Sequence, residues 1–268
     1  MSIRKRVTSC FGILAMLAVF TNVKAQFYIG AEVGGNQNYL VTDVSSLNAT
    51  EIVPKNGLAI SAVIQYKVND WFSLESTPGF IQKNYQMQRT GYYAGIYQKT
   101  RNNYLQLPVS AKFYFGTKKW KGFVDLGVYG AYWASSHIKG TMATALNQNP
   151  YSTYYDPNAN RAGYTVFDFE IPVNFDDKYQ FNSIKDRRLE MGLTAGAGIS
   201  YEPKGRYKFF ADFKYYDALT DQQKNYQDEI VSKYNETGAF SIGFLYNLNI
   251  KIKKHINKKK KSILEIKK

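Results

Sequence analysis

The sequence predicts an all-β protein, an eight-stranded antiparallel transmembrane β-barrel with long extracellular loops and short periplasmic turns. Three observations predict this fold class. Segments of about ten residues alternate between apolar and polar side chains, as barrel strands do. Tyr and Phe are abundant, with 23 and 17 residues, whereas Pro is found only 7 times. After residue 25 no apolar run is long enough for a membrane-spanning helix, which excludes a helical membrane protein.

The clearest strand covers residues 188–201, RLEMGLTAGAGISY. One row of its side chains is apolar or interfacial, namely Leu189, Met191, Leu193, Ala195, Ala197, Ile199 and Tyr201. The other row is small, polar or charged and begins with Arg188 and Glu190. This period of two indicates a strand with one apolar face. Its length exceeds that of most soluble strands and fits a tilted strand in an outer membrane.

Eight such segments follow one another along the chain, at 27–34, 58–68, 71–86, 104–115, 124–132, 188–201, 207–215 and 240–248. Pro78 weakens the third segment, because proline lacks the N–H that a closed barrel needs, and it predicts a bulge there. An even number of antiparallel strands closes without edges. A sheet within a bilayer must be closed in this way because each unpaired backbone group costs several kcal/mol in hydrocarbon.

Long polar connections at 42–56, 87–102, 139–185 and 217–237 alternate with short ones at 69–70, 116–121 and 202–205. Outer-membrane barrels have this asymmetry, with long loops outside and both termini in the periplasm. Within the third long connection, VFDFEIPVNF predicts strand extensions beyond the membrane or a small hairpin. The alternative fold is a secreted soluble β-sandwich or lipocalin-like barrel, which would carry its apolar face inside.

The two ends of the chain differ in composition from the predicted barrel. Arg4, Lys5 and Arg6 precede an apolar run and the sequence Val-Lys-Ala, which predicts a signal peptide over 1–25 with cleavage between Ala25 and Gln26. The only cysteine, Cys10, lies in this segment, so the mature chain would have no disulfide. The barrel is then expected over 26–249, followed by a Lys-rich periplasmic tail over 250–268.

The formal charge of +14 belongs mostly to these ends. Residues 1–25 carry +4, and residues 251–268, with nine Lys and one Glu, carry +8, so that 14 − 4 − 8 leaves +2 for the body. A nearly neutral, exported body argues against nucleic acid as a partner. The tail is interpreted as a solvated segment, with attraction to anionic lipid, cell wall or a periplasmic partner as the alternative.

The inward-facing rows carry charges of both signs. They are Glu32, Lys67, Glu75, Lys112, Asp125, Arg188, Glu190, Lys208, Asp212 and Lys214. Side chains fill the interior of an eight-stranded barrel, and opposite charges are expected to pair there because desolvation needs an offset. A narrow path for ions or solutes along these charges is the alternative. Gly192, Gly196 and Gly198 are expected to leave room for bulky neighbours such as Tyr129 and Phe210.

Catalytic residues are sparse. His137 shares a strand face with Ser135, which leaves a Ser-His lipid hydrolase as an alternative, but no acidic partner for the histidine is identifiable. The chain has no GxSxG, HExxH or Gly-rich phosphate motif and no Cys-based metal spacing. Residues 156–160, DPNAN, lack the spacing of a calcium loop and predict a turn. We therefore expect no enzyme activity, no cofactor and no metal.

Four stretches carry a resemblance to a known family: YLQLPVSAKFYFG at 104–116, FVDLGVYGAYW at 123–133, LTAGAGISYE at 193–202 and FSIGFLYNLN at 240–249. They resemble the small outer-membrane β-barrels of Bacteroidota, the porin-like group that includes PorT-type proteins. The resemblance implies an outer-membrane barrel with outer-membrane lipids as its surroundings. The PorT-type members associate with the type IX secretion machinery, which implies secretion-apparatus proteins as partners.

Strands of this family commonly end the chain on an aromatic residue, whereas here some twenty residues follow the last strand. The leading interpretation is a non-enzymatic barrel with a structural or interaction role through its extracellular loops and tail. A component of a type IX secretion or gliding apparatus is the next, and narrow porin-like passage follows.

Overall fold

The computed structural model describes residues 26–43, 49–91, 94–117, 119–143, 153–155, 162–164, 172–203, 206–224 and 231–248. The predicted signal peptide up to Ala25, the turn predicted at 156–160 and the tail predicted at 250–268 lie outside these ranges. None of the described residues forms a helix that is long and apolar enough to cross a bilayer.

The described chain forms strands almost throughout. They are β1 Gln26–Val41, β2 Thr50–Lys67, β3 Phe72–Ser76, β4 Gly79–Gln82, β5 Tyr85–Arg89, β6 Tyr97–Gly116, β7 Trp120–Ala143, β8 Thr153–Tyr155, β9 Ala162–Tyr164, β10 Pro172–Lys178, β11 Leu189–Tyr201, β12 Tyr207–Ala218 and β13 Tyr234–Asn247. The two short strands β8 and β9 form a separate two-stranded sheet.

Antiparallel pairing closes the main sheet into a ring. β1 pairs with β2 on one side and with β13 on the other, from Tyr28 opposite Asn247 to Val41 opposite Tyr234. β6 pairs with β7, β7 with β11, β11 with β12, and β12 with β13. The three segments β3, β4 and β5 each lie between β2 and β6 and act as one interrupted strand. The ring therefore has eight strand positions, as the sequence predicts.

The interruption of the third strand has two breaks instead of one bulge. The first is at Thr77 and Pro78, where the Pro78 carbonyl still accepts a hydrogen bond from the Ala62 N–H at 2.9 Å. The second is at Lys83 and Asn84, between β4 and β5. Proline has no N–H to donate, whereas the Thr77 N–H still donates to the Pro108 carbonyl on β6 at 3.3 Å. The predicted single strand over 71–86 is thus three short strands.

The outer face of the ring is apolar and the inner face is polar. On β7, Leu126 is 62% exposed whereas the adjacent Asp125 is 1% exposed. On β2, Leu58 is 58% exposed and Gln65 is fully buried. A soluble barrel has the opposite arrangement, so the outer face is the surface that contacts lipid. This excludes the soluble sandwich and the lipocalin-like barrel.

Aromatic side chains surround the barrel at the end with short turns. Trp71, Trp120 and Tyr207 are each more than half exposed there. Trp120 packs against Tyr201, with ring centroids 4.7 Å apart, across the β7–β11 pair. Aromatic belts of this kind lie at the membrane interface, so they mark the periplasmic edge of the lipid-facing band.

The connections at the other end are shorter than the sequence predicts. β2 begins at Thr50, β5 and β6 occupy most of 87–102, and β13 begins at Tyr234. Beyond the lipid-facing band, both faces of the sheet contact water. The strands continue there without an apolar row, and it is this row that predicts a strand from the sequence. Strand β10 pairs with β7 from Val173 opposite Met142 to Lys178 opposite His137 and widens this extracellular sheet.

A bulge in β7 changes which side chains face outward. Tyr104 lies opposite Trp133 and Asn103 opposite Ser135, which leaves Ala134 without a partner. One extra residue reverses the alternation of faces. Arg188 donates hydrogen bonds to the carbonyl oxygens of Trp133 and Ala134 at 2.9 and 3.0 Å, and so satisfies backbone acceptors at the bulge.

Candidate functional site: the charged barrel interior

Among the described residues, four carboxylates and three ammonium groups lie in the part of the interior nearer the periplasmic turns. All seven are between 1% and 6% exposed: Glu32, Glu75, Lys112, Asp125, Lys208, Asp212 and Lys214. We call this set the lower cluster. The alternation of polar and apolar residues on five strands directs these side chains inward. Because water is excluded, the charges need each other to offset desolvation.

Two lysines join most of the lower cluster. The Lys112 Nζ atom lies 2.6 Å from Oε1 of Glu75. The Lys214 Nζ atom lies 3.1 Å from Glu32, 3.3 Å from Asp212 and 3.8 Å from Glu75. Glu75 is therefore shared by Lys112 on the adjacent strand β6 and by Lys214 on β12, and the contact with Lys214 crosses the lumen.

Lys208 contacts two neutral side chains and one carboxylate. Its Nζ donates to the Tyr114 hydroxyl at 2.6 Å and to Oε1 of Gln65 at 3.2 Å. The Gln65 amide in turn donates to Glu75 at 2.9 Å. Glu202 lies 3.7 Å away at the periplasmic end. These contacts connect the lower cluster to the periplasmic mouth.

Asp125 is the least satisfied member of the lower cluster. Neither of its carboxylate oxygens receives a hydrogen bond from the described part of the chain. Its cross-strand neighbour is Lys112, whose ammonium group is directed to Glu75. Buried polar atoms without a partner are uncommon in proteins. Four carboxylates thus share three ammonium groups, and Asp125 interacts with Lys112 through space.

A second, upper cluster is centred on Glu190. Its carboxylate forms an ion pair with Lys83 and accepts hydrogen bonds from the Tyr129 hydroxyl at 2.9 Å and the Asn235 amide at 2.7 Å. The Lys83 ammonium group also lies 5.3 Å from the centroid of the Tyr104 ring and 4.8 Å from that of the Tyr129 ring. Hydrogen bonds and two rings therefore surround this buried ion pair.

Lys83 is absent from the inward charges that sequence reasoning selects. It is fully buried, at the break between β4 and β5. The inward row of Ser73, Glu75 and Thr77 continues at a spacing of two to Ile81 and Lys83, all of which are buried. The same alternation, extended to the end of the predicted third strand, would have found this lysine.

Two of the ten predicted interior charges lie outside the two clusters. Lys67 is at the periplasmic mouth, where its Nζ lies 2.9 Å from Asp70, a turn residue whose pKa is held below its usual range by this hydrogen bond. Arg188 is half-buried beside the bulge of β7, at the extracellular end of the barrel. Its guanidinium carbon lies 4.5 Å from the centroid of the exposed Tyr132 ring and 4.2 Å from that of Phe181.

Glycines make room for the interior rings. A Cβ atom on Gly192 would lie 2.6 Å from the Tyr129 ring, so this glycine accommodates Tyr129 as expected. Phe210 is accommodated elsewhere: a Cβ on Gly243 would lie 2.7 Å from its Cε1 atom. Gly196 instead adjoins the Asp125 carboxylate, at 2.9 Å from the same kind of added atom.

Each mouth of the barrel has a cavity. The periplasmic cavity has a volume of about 530 Å³ and is lined by both Lys67 and Glu202. The extracellular cavity has a volume of about 190 Å³ and is lined by Trp133, Asp186 and Lys233, where burial lowers the pKa of Lys233. The lower and upper clusters occupy the lumen between these cavities. No group of three or more His, Cys, Asp or Glu among the described residues could hold a metal ion.

His137 has an acidic partner that sequence reasoning missed. Its Nε2 atom contacts Oδ1 of Asp176 on β10, and Lys139 donates to the other carboxylate oxygen at 2.8 Å. These two donors lower the pKa of Asp176. Ser135 lies on the same outer face, but its hydroxyl accepts a hydrogen bond from the Asn103 amide at 2.9 Å. The pairing of β10 with β7 creates the His-Asp contact, which no local pattern in the sequence indicates.

The chain was compared with models of protein families and with known proteins. A family model described as "Outer membrane protein beta-barrel domain" matches residues 21–224. No curated protein matches the chain.

Several solved structures match most of this chain. Neisserial surface protein A has 13% sequence identity and a TM-score of 0.42, with 83% of this chain and 97% of that chain covered. The attachment invasion locus protein Ail of Yersinia pestis has 11% identity and a TM-score of 0.38, with 82% and 97% covered. The N-terminal β-barrel domain of Pseudomonas aeruginosa OprF has 11% identity and a TM-score of 0.32, with 83% and 100% covered.

Proposed function

This chain belongs to the outer membrane protein beta-barrel domain family, and from that premise we propose that it is a non-enzymatic barrel with a closed interior. Its role is structural or one of interaction, through the extracellular sheet and the periplasmic tail. The barrel holds these two parts on opposite sides of the outer membrane. It does not pass solutes.

The observation that carries this proposal is the pair of buried clusters in the lumen. Glu75 binds Lys112 and Lys214 across the lower half, and Glu190 binds Lys83, Tyr129 and Asn235 across the upper half. Eight strands enclose an interior that is just wide enough for side chains to fill. Side chains that are tied by several contacts do not move aside easily, because each would leave an unpaired buried charge.

Conductance in planar bilayers tests the closed interior. We expect the refolded full-length protein to produce no discrete openings, whereas a 16-stranded porin in the same bilayer provides the conducting control. Discrete openings that change in size or ion selectivity in a Glu190→Gln variant would contradict the proposal, because they would place the ion path along the upper cluster.

The absence of catalysis is supported by the separate engagement of Ser135 and His137, because no hydrogen bond among the described residues joins them, although His137 has an acidic partner. The His137 imidazole contacts Asp176, and the Ser135 hydroxyl accepts from Asn103. We expect cells with His137→Ala or Ser135→Ala to have an unchanged outer-membrane lipid composition. Lysophospholipid that is formed by the parent protein and lost in both variants would show that the barrel is a hydrolase.

A role in a secretion apparatus is the second candidate, and the position of Leu248 favours it. The Leu248 N–H donates to the Phe27 carbonyl at 2.9 Å, so the chain leaves the barrel beside its N-terminal strand at the periplasmic end. Nine lysines follow in the sequence, and a segment of this charge would attract an acidic periplasmic partner. Deletion of 251–268 tests this role: loss of protein secretion with the barrel still inserted supports it, and normal secretion contradicts it.

A further inference from the structure

The extracellular sheet has an exposed basic face. It consists of six side chains in two rows across β6, β7 and β10: Lys99, Lys139 and Asp176, and Arg101, His137 and Lys178. Lys99 lies opposite Lys139, which lies opposite Asp176. Arg101 lies opposite His137, which lies opposite Lys178. Residues in register on one face of a sheet are neighbours, so the six side chains form one continuous patch.

The patch faces sideways, on the same side of the sheet as the lipid-facing surface. On β6 the outward row runs from Val109, Leu107 and Leu105 through Asn103 to Arg101 and Lys99 without a change of parity. On β7 the bulge at Ala134 brings His137 and Lys139 to this outer face. All six side chains of the basic face are exposed, and that of Lys139 is 63% exposed.

The charges of this face do not balance within the described protein. Four cations and one carboxylate give 4 − 1 = +3 with His137 neutral. Asp176 contacts Lys139 and His137, and no carboxylate among the described residues forms an ion pair with Lys99, Arg101 or Lys178. Like charges directly opposite each other on a sheet are destabilising, as at Lys99 and Lys139. An external anion would relieve this repulsion.

The height of the basic face matches the headgroups of the outer leaflet. Arg101 is four residues beyond Leu105, which is 56% exposed on the lipid-facing surface, and Lys99 is six residues beyond it. At about 3.3 Å per residue and a tilt of about 40°, their Cα atoms lie about 10 and 15 Å above that of Leu105. The headgroup layer begins within this distance of the hydrocarbon edge.

We propose that the basic face binds the phosphate groups on the sugar headgroup of a phosphorylated glycolipid in the outer leaflet, a lipid of the lipid A class. The acyl chains would lie along Leu105 and Leu107, directly below. Arg101 supplies a planar fork that binds two phosphate oxygens at once, and the lysines supply point charges around it. This site is on the outside of the barrel and is independent of whether the interior conducts.

Lipid retention tests the proposal. The full-length barrel is reconstituted with phosphatidylethanolamine and bisphosphorylated lipid A, extracted, and weighed by native mass spectrometry. We expect bound lipid A on the parent protein and a loss of affinity of about a hundredfold in Lys99→Gln/Arg101→Gln/Lys178→Gln, because each cation near an anionic headgroup contributes about fivefold. Raising the salt concentration should weaken binding by the parent protein.

The matched control removes three positive charges elsewhere, as Lys119→Gln/Arg187→Gln/Arg206→Gln, and should retain lipid A as the parent does. A heat-modifiability gel establishes that both triple variants are folded. Equal retention by the parent and the first triple variant would overturn the proposal. So would undiminished retention of lipid A that lacks both phosphates. Tighter binding of soluble inositol hexakisphosphate than of lipid A would overturn the assignment to a membrane lipid.

Discussion

The ammonium group of Lys83 contacts the carboxylate of Glu190, 107 positions away in the chain, and both side chains are almost fully buried. The contact ties the interrupted third strand position to β11 across the lumen. Such a pair gains Coulomb energy in a medium of low dielectric and loses hydration. The contribution of this ion pair to the stability of the barrel is therefore measured most clearly when one partner is removed.

Glu190→Gln should destabilise the barrel by about 3–5 kcal/mol, because it leaves the Lys83 charge buried without its counterion. Urea unfolding in lipid vesicles, followed by Trp fluorescence, measures this loss. The matched control is Glu236→Gln, a carboxylate on β13 that accepts from the exposed Tyr215 hydroxyl and should cost less than about 1 kcal/mol. Removal of both charges in Lys83→Met/Glu190→Gln should restore part of the stability. A double variant that is less stable than Glu190→Gln would contradict this account.

Leu126→Arg tests the lipid-facing surface. Leu126 is 62% exposed and has Ala111 and Ala195 on either side, in the middle of the apolar band. Arginine near the bilayer midplane should destabilise the barrel by about 2–4 kcal/mol, whereas Gln37→Arg, above the band on β1, should cost about 0–1 kcal/mol. Both variants are compared by folding into vesicles. Equal costs would show that Leu126 does not face hydrocarbon.

Gly243→Leu should overpack the interior, because its side chain would enter the space of the Phe210 ring. We expect a loss of about 1–3 kcal/mol. Phe210→Ala combined with Gly243→Leu should recover part of that loss, since the ring is gone and the contact of the added Cβ with the Ala31 carbonyl oxygen, at 2.7 Å, is what is left. The unfolding transition of the two variants is compared with that of Phe210→Ala alone. If the double variant is no better than Gly243→Leu, the clash is with the backbone.

The pairing of β10 with β7 should depend on pH. Hydrogen bonds from Lys139 and His137 lower the pKa of Asp176, and the bond to Asp176 raises the pKa of Lys139. Because the pKa of Asp176 is lowered, its contacts stabilise the pairing of β10 with β7 at pH values above about 3.9, the usual pKa of aspartate. This contribution is lost as the pH falls through the lowered pKa. The raised Lys139 pKa adds a contribution that is present below about 10.4 and lost as the pH rises through the raised value.

Amide hydrogen exchange of residues 173–178, corrected for intrinsic rates, measures this pairing. Protection should be greater at about pH 6 than at about pH 3. Asp176→Asn should remove most of the difference. Asp177→Asn is the matched control, because its backbone lies opposite Ile138 and its side chain faces the other side of the sheet. An unchanged pH dependence in Asp176→Asn would exclude the Asp176 contacts as its cause.

The alternation of apolar and polar residues could be read from the sequence because it is local. It predicts eight strand positions, a lipid-facing outer surface and an inward row with Glu32, Glu75 and Asp125. It also carries the information that Lys83 points inward. The extents of the strands beyond the membrane could not be predicted this way, because both faces are polar there and the signal of period two is lost.

The sequence by itself determined which faces are apolar and that charges of both signs line the interior, because side-chain direction in a strand follows position by position. Only the tertiary structure decided which charges meet. The register of distant strands brings Lys83 to Glu190, and the bulge at Ala134 with the docking of β10 brings His137 and Lys139 to Asp176. Register and bulges are set by pairing between strands far apart in the chain, so no local pattern contains them.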